Sequence, residues 1–321
     1  MYRKITAIVI PTLIAAAIII YMISSVWNQL LDAIIHLVPG YLVAACAICL
    51  GAWWLRGWRY HTILRGMDDD VSILTATGCI FVSQTVNLVV PFRLGDVVRI
   101  FILNHENNTT YSDGISSIVV ERIFDITTVA LLGLVAIPFV LNGNPGYFLV
   151  MILVLAFGFI FFVFIFFSDR LKSENRYLQI IYSMLHEIRR ASLTPRSILL
   201  LGCSSIAIWM LDVLVCYSVV LMFRQQIPFA TVVLAIVIGN LIKAVPITPG
   251  GLGTYELLVS QTLSLSGMPD IFAKLVAIID HLIKNLITLA GGVVSMYLFG
   301  DWVMPSIRKA WDTRLDGGDG N

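Results

Sequence analysis

One stretch of the sequence places a cation, an amide and several backbone-exposing residues inside an apolar run: 240–256, NLIKAVPITPGGLGTYE. Glycines let backbone N–H groups come close to a ligand, and a helix that starts behind them carries partial positive charge at its first turn. A phosphate group suits such a place. The predicted ligands are Asn240, Lys243, Gly250, Gly251 and Gly253. Close helix packing through small residues is the alternative explanation of the glycines.

A second stretch, 87–99 (NLVVPFRLGDVVR), has the same character. Each stretch contains proline and glycine, which neither a plain transmembrane helix nor a soluble helix tolerates so close together. Within a membrane, broken backbone survives only where protein buries it or where it lines a watery cavity. The two stretches together are therefore the predicted working site, and the second contributes Asn87, Arg93 and Arg99 as substrate ligands.

Further ionisable residues lie inside or beside the apolar spans. A charge at the bilayer centre costs at least about 2.5–3.5 kcal/mol, so these groups are expected to pair or to face water. Spacing predicts the pairs Asp96–Arg99, Arg122–Asp125 and Asp280–Lys284. Arg122 and Lys284 are predicted to bind substrate. Charge balance or proton coupling is assigned to Asp96, Glu121, Asp125, Asp212, Glu256, Asp280 and His281. Two alternatives stay open: the pairs only hold helices together, and Asp212 is either a proton relay or a polar group bonded across a helix interface.

Several other chemistries find no support in the sequence. The histidines are scattered without metal-ligand spacing, and Asp68–Asp70 is interpreted as a solvated loop. Cys46 and Cys49 form a CxxC inside an apolar span, where packing explains them better than redox chemistry. The net charge of +1 gives no indication of nucleic-acid binding. We therefore predict no catalytic residue, no metal, no cofactor and no nucleic-acid partner.

The composition predicts an all-α polytopic membrane protein. The chain has 321 residues, of which 58% are hydrophobic, and its mean hydropathy is +0.89. At about 20 apolar residues per span, we expect about six transmembrane helices and two re-entrant hairpins of broken helices. The predicted crossings are 5–26, 41–58, 114–141, 147–168, 198–223 and 271–299, and the hairpins are 74–103 and 229–266. Trp53, Trp54, Arg56, Trp58 and Arg59 are interpreted as a membrane–water boundary.

Basic residues concentrate in alternate loops, which predicts a cell-membrane protein with both termini cytoplasmic. Residue spacing also suggests two inverted repeats, about 41–141 and 197–299, within one transmembrane domain, 1–303. Trp53 and Trp209 are one matched pair, and Pro91 and Pro246 are another. Inverted repeats with broken helices near the midplane are typical of transporters. The tail, 304–321, is predicted to be disordered.

At these residues the sequence resembles the lysylphosphatidylglycerol synthase transmembrane family, also described as flippase-like integral membrane proteins. The matching motifs are N-x3-P-x-R-x-G-D-x2-R from Asn87 to Arg99, E-R-x2-D from Glu121 to Asp125, and P-x2-P-G-G-L-G-x2-E from Pro246 to Glu256. The last helix departs from the pattern, since His281 and Lys284 stand where an arginine is expected. The resemblance implies movement of a lipid-linked anionic or aminoacylated head group, here without the aminoacyl-transferase domain that some members carry.

We therefore expect a lipid flippase or transporter, not an enzyme, that moves a phospholipid or polyprenyl-phosphate lipid head group across the cytoplasmic membrane. One alternative is a membrane-embedded enzyme acting on a polyprenyl phosphate. Another is a non-transporting accessory subunit of envelope lipid synthesis. Membrane lipid is the expected partner, and a homo-oligomer is compatible with the sequence.

Overall fold

The computed structural model describes residues 17–22, 24, 27, 37–90, 93–140, 149, 152–153, 155–156, 160, 176–244, 248–300 and 302. Its principal elements are helices throughout. They are α1 (Gly40–Arg65), α2 (Ile73–Val89), α3 (Leu94–Asn107), α4 (Tyr111–Val140), α5 (Arg176–Ser192), α6 (Pro195–Met222), α7 (Phe229–Ala244), a 3₁₀ turn (Pro249–Gly251), α8 (Thr254–Ser264) and α9 (Asp270–Phe299).

Four helices within the described residues, α1, α4, α6 and α9, are long and apolar enough to cross a membrane. They have 26 to 30 residues each, more than the roughly 20 that a bilayer core requires. The prediction of an all-α polytopic membrane protein is confirmed. The other two predicted crossings, 5–26 and 147–168, lie mostly outside the described residues. Both termini also lie outside them, so the cytoplasmic location of the termini stays a prediction.

Short polar side chains define where two of the helices, α2 and α6, begin. The Ser72 hydroxyl accepts a hydrogen bond from the Thr75 N–H at 3.0 Å, and the Thr194 hydroxyl accepts one from the Ser197 N–H at 3.1 Å. Each satisfies one of the four N–H groups that the first turn of a helix leaves without a partner. Pro195 follows Thr194 at the first helical position, where its missing N–H costs nothing.

Both predicted hairpins are pairs of short helices, α2 with α3 and α7 with α8. Gly95 allows the first pair to pack closely, because a Cβ there would lie 1.8 Å from the Ser83 carbonyl oxygen. Gly239 has the same function in the second pair, where a Cβ would lie 2.6 Å from Val259. Pro91 and Pro246, at the predicted breaks, lie outside the described residues.

The helices follow the same order twice: long, short, short, long. Helix α1 packs mainly on α6, so the first members of the two sets contact each other. Helix α2 packs on α9, and its counterpart α7 packs on α4. Exchanging the two halves therefore leaves the packing scheme unchanged, as expected if a chain of two repeats folds around a pseudo-two-fold axis. That the repeats are inverted in the membrane stays a prediction.

The polar segment that the sequence predicts between two crossings contains the amphipathic helix α5. Leu185, Ile188 and Ala191 on one face are buried against the ends of the long helices. Arg190 on the opposite face pairs with Asp68 in the α1–α2 loop. The loop Asp68–Asp70 is thus tied to this helix through one of its carboxylates, while Asp70 is exposed.

Asp69 provides a prediction on stability. Partial burial, followed by repulsion from Asp113, raises the pKa of its carboxyl from 3.8 to about 6. Protonation is therefore more favourable in the folded state, and stability is lost as the pH rises from about 4 through 6. We expect Asp69→Asn to raise the melting temperature at pH 7.5 and to have little effect at pH 4. Solvent screening limits the gain to about 1 kcal/mol.

The matched control is Asp70→Asn in the same loop, which removes an exposed carboxylate. Melting curves of the two variants and the parent protein at both pH values measure the effect. An equal gain at pH 4 and pH 7.5 would contradict the role given to the Asp69 charge.

Candidate functional site

A cavity of about 280 Å³ lies where the two broken hairpins meet. Gly250, with φ of 60°, lies so close to Leu88 at the end of α2 that a Cβ would be 2.6 Å from the leucine side chain. The two predicted stretches therefore contact each other. Residues from α1, α4, α6 and α9 complete the cavity wall.

A buried cluster of two arginines and two carboxylates supports one wall. Arg99 of α3 donates to Glu121 of α4 at 2.5 Å, and Arg59 of α1 donates to the other oxygen of Glu121 at 3.2 Å. Arg59 also donates to Asp125 at 2.6 Å and to Ser205 of α6 at 2.7 Å. Both guanidinium groups are almost completely buried. Such charges are tolerated only when carboxylates compensate them, so this cluster fixes α1, α3, α4 and α6 relative to one another.

Asp96, near the first turn of α3, is shared by three arginines. Its carboxylate lies 3.5 Å from Arg93, 3.5 Å from Arg122 and 3.9 Å from Arg99. Asn87 holds this helix start, since its carbonyl oxygen accepts a hydrogen bond from the Gly95 N–H at 2.8 Å. Arg93 itself has left-handed backbone geometry, with φ of 56°. One carboxylate serving three guanidinium groups leaves positive charge in excess at this end of the cavity.

The pairing of Arg122 differs from the one that the sequence spacing predicted. Arg122 pairs with Asp96, whereas Asp125 is occupied by Arg59 and by the indole N–H of Trp209 at 3.2 Å. Residues 122 and 125 are one turn apart on α4, but the buried Arg59 of α1 lies closer to the Asp125 carboxylate and pairs with it. The predicted pairs Asp96–Arg99 and Asp280–Lys284 are formed.

The opposite wall comes from the second hairpin and α9. Lys284 pairs with the fully buried Asp280 at 2.7 Å, and the Tyr255 hydroxyl donates to the same carboxylate at 2.7 Å. His281 lies with Nδ1 2.7 Å from the buried carboxylate of Glu256. The other oxygen of Glu256 accepts the Gly253 N–H at 2.7 Å. Asp280, His281 and Lys284 of α9 thus hold the first turn of α8 in place through Tyr255 and Glu256.

Lys243, in the last turn of α7, forms no ion pair within the described residues. Its ammonium group lies 4.5 Å above the Tyr255 ring, a cation–π contact, and its stem lies against Gly251. A Cβ on Gly251 would be 2.6 Å from the lysine Cγ, so the glycine makes room for this side chain. Lys243 therefore brings a cation to the cavity with no carboxylate of its own there.

Two N–H groups of the glycine turn are already hydrogen-bonded within the protein, which the sequence did not suggest. The N–H of Gly251 donates to the Thr248 carbonyl at 3.1 Å, and that of Gly253 donates to Glu256. A phosphate at these two donors would have to displace those bonds. The prediction that they hold substrate stays a prediction, and close approach to Leu88 and Lys243 is the structural reason for Gly250 and Gly251.

Cations outnumber carboxylates in and around the cavity. The carboxylates are Asp96, Glu121, Asp125, Asp212, Glu256 and Asp280, and the cations are Arg56, Arg59, Arg93, Arg99, Arg122, Lys243 and Lys284. Most cations are neutralised by direct pairs. Arg93, Arg122 and Lys243 line the cavity and have no hydrogen-bonded carboxylate within the described part of the chain. The site is therefore suited to an anion.

Sequence reasoning missed two arginines. Arg56 pairs with Asp212 of α6 at 2.5 Å and lines the cavity, and Arg59 belongs to the buried cluster. Both were interpreted as boundary residues because tryptophans flank them, but they lie inside the protein. Their spacing of three residues places them on one face of α1, which is the only local signal that they act together.

Buried charge clusters on broken helices, enclosed by long apolar helices, define a membrane protein with an interior polar site. The chain belongs to the family described as the lysylphosphatidylglycerol synthase TM region, whose model matches residues 8–292. The resemblance stated from the motifs is thereby confirmed.

Curated relatives are similar over much of the chain. A protein of Haloferax volcanii named Glycosyltransferase AglD is 28% identical over 86% of this chain, which spans about half (51%) of that protein. A UPF0104 membrane protein of Methanocaldococcus jannaschii is 26% identical over 66% of this chain and 93% of its own length. Another from Pyrococcus horikoshii is 24% identical over 74% of this chain and 80% of its own.

The Haloferax relative corrects one expectation. The sequence predicted that the chain is not an enzyme, and similarity to a protein named as a glycosyltransferase contradicts that prediction. The sequence contains neither an acidic pair with metal-binding spacing nor a recognisable Ser/His nucleophile arrangement, and the prediction rested on those two observations. The absence of these two motifs is weak evidence against an enzyme, because other transferases work without an acidic metal pair or a Ser/His nucleophile.

Proposed function

We propose that this chain binds the phosphate of a membrane lipid in the cavity and moves the lipid's head group across the bilayer. The observation that carries the proposal is the excess of positive charge facing the cavity: Arg93 and Arg122 share the single carboxylate of Asp96, and Lys243 forms no ion pair with any described residue. Cations in a poorly hydrated site are costly unless an anion compensates them. Arg93 and Arg122 offer planar guanidinium groups that bind phosphate oxygens in pairs, and Lys243 adds a point charge from the opposite wall.

The surroundings of the site favour a lipid over a soluble anion. The cavity lies among helices whose outward residues are apolar and exposed, as expected for contact with acyl or polyprenyl chains. Broken helices whose ends meet at the centre of two similar sets of helices are typical of carriers with alternating access. The lipid's chains would then remain in the bilayer while its phosphate occupies the cavity.

A second candidate is a part in glycosyl transfer to or from a lipid phosphate. The similarity to the Haloferax protein favours it. The same three cations serve this function equally well, since the phosphate of a lipid-linked sugar needs the same contacts. The two candidates differ in whether the head group changes its leaflet or its covalent structure.

The experiment is reconstitution into liposomes that contain a fluorescent polyprenyl phosphate, with an impermeant quencher reporting the leaflet of the head group. We expect Lys243→Gln to lower lipid binding and the rate of movement about tenfold or more, because it removes a charge-assisted contact. The control is Lys274→Gln, the same change at a lysine that pairs with Asp270 on α9.

The outcomes separate the candidates. Movement by the parent protein that Lys243→Gln abolishes supports the carrier. Sugar transfer from a lipid-linked or nucleotide-linked donor without movement supports the transferase candidate and overturns the carrier. Equal behaviour of the Lys243 and Lys274 variants overturns the proposed phosphate site.

A further inference from the structure

Two amide side chains in the cavity wall have no function in the charge network. Gln84 of α2 and Asn285 of α9 line the cavity, and neither side chain forms a hydrogen bond with any described residue. Both are partly buried. An amide carries two N–H donors and a carbonyl acceptor, and those of Gln84 and Asn285 remain available to a ligand in the cavity. A ligand that satisfies them would therefore gain affinity.

The helices that carry these amides pack directly against each other. The Thr85 hydroxyl donates to the Thr288 carbonyl at 3.0 Å, so the residues next to Gln84 and one turn after Asn285 are in contact. Gly292 permits this approach, because a Cβ there would lie 1.9 Å from the Thr85 hydroxyl oxygen. The two amides thus belong to one region of the wall, at the crossing of α2 and α9.

A third amide contributes an acceptor. Asn240 of α7 also lines the cavity, and its nitrogen donates to the Ile236 carbonyl at 2.8 Å. Its carbonyl oxygen and its second N–H therefore remain for a ligand. Phosphate oxygens only accept hydrogen bonds and cannot satisfy amide oxygens. These acceptors require a ligand group that donates.

We propose that the cavity contains a second subsite, formed by Gln84, Asn285 and Asn240, for an uncharged hydroxyl-bearing group attached to the lipid phosphate. This inference rests on the proposed phosphate site. Hydroxyl groups donate and accept, which matches amides, and the excess of cations nearby disfavours an ammonium group. The volume agrees, since a cavity of about 280 Å³ is larger than the few atoms of a bare phosphate fill.

The test compares lipids that share acyl chains and differ in head group. Native mass spectrometry of the purified protein with equimolar phosphatidic acid, phosphatidylglycerol, phosphatidylinositol and phosphatidylethanolamine gives relative affinities. We expect both hydroxyl-bearing lipids to bind better than phosphatidic acid and phosphatidylethanolamine. The ratio of phosphatidylinositol to phosphatidylglycerol then reports whether a ring polyol or a glycerol fits better.

Variants locate the preference. Gln84→Leu and Asn285→Leu should each lower the phosphatidylinositol-to-phosphatidic acid ratio about three- to tenfold, the effect of one lost hydrogen-bonding group. The matched control is Gln261→Leu, which replaces an exposed amide on α8 outside the cavity and should leave the ratio unchanged.

The failures are distinguishable. If the parent protein retains none of these lipids, the proposed phosphate site fails. If it binds phosphatidic acid as well as phosphatidylinositol, or prefers phosphatidylethanolamine, the hydroxyl subsite is overturned while the phosphate site stands. The ratio measured on the parent protein decides this even where a leucine variant does not fold.

Discussion

Glu121→Gln is expected to destabilise the protein by about 3–5 kcal/mol, the usual effect of removing one partner from a buried ion pair. Glu121 accepts from both Arg59 and Arg99, whose side chains are almost entirely inaccessible to solvent. Glutamine keeps the shape but removes the charge and replaces one acceptor oxygen by a donor. Arg99 then loses its nearest carboxylate, and its remaining one, Asp96, lies 3.9 Å away.

Thermal unfolding in detergent measures the effect, and we expect a melting temperature lower by about 10 °C or more. Glu106→Gln, at an exposed position of α3, is the matched control. The double variant Glu121→Leu with Arg99→Met removes both charges and should be more stable than Glu121→Leu alone. If the double variant is no more stable than the single one, the buried-pair explanation is wrong.

Arg122→Lys is expected to abolish most lipid transport while the fold is kept. The Arg122 side chain is 28% exposed, lines the cavity and reaches Asp96 only at 3.5 Å, so the fold depends on it little. Lysine keeps the charge but loses the planar pair of donors that matches a phosphate. Loss of a hydrogen bond to a charged group corresponds to about ten- to hundredfold weaker binding.

Transport in proteoliposomes is compared with that of Arg196→Lys, the same change at an exposed arginine in the first turn of α6. If Arg122 only neutralises Asp96, the positive charge of lysine is sufficient, and Arg122→Lys should transport lipid as fast as the parent protein. That outcome would leave Arg122 as a structural ion pair and defeat its role in binding.

The hairpins were predictable because their signals are local. Proline, glycine and charged residues within an apolar run exclude a continuous span. Helices α7 and α8 fall inside the predicted limits 229–266, whereas α2 begins at Ile73 and α3 ends at Asn107, beyond the predicted limits 74–103. The long helices were predictable for the same reason, since length and hydropathy decide a span. The beginning of α8 at Thr254 follows directly from the glycine turn before it.

The partners of the charges were not predictable from spacing. Arg59 was interpreted as a boundary residue, and Asp125 was assigned to Arg122, yet Arg59 and Asp125 are 66 positions apart and bind each other. Sequence spacing identifies possible partners only on the same helix. In the folded protein a buried carboxylate pairs with whichever guanidinium group lies closest, and that group can come from another helix. The amides Gln84 and Asn285 were missed because an uncharged polar residue in a span has no pattern of its own.

The pair Arg56–Asp212 has a consequence for the ancestry of the chain. These residues lie 156 positions apart, as do Trp53 and Trp209, so on the two-repeat interpretation they occupy equivalent sites on α1 and α6. A symmetric dimer of one ancestral half would have set arginine against arginine, or aspartate against aspartate, and repulsion would have opposed it. On that interpretation, the attraction between Arg56 and Asp212 requires two halves that differ at this position, as the two halves of one fused chain can.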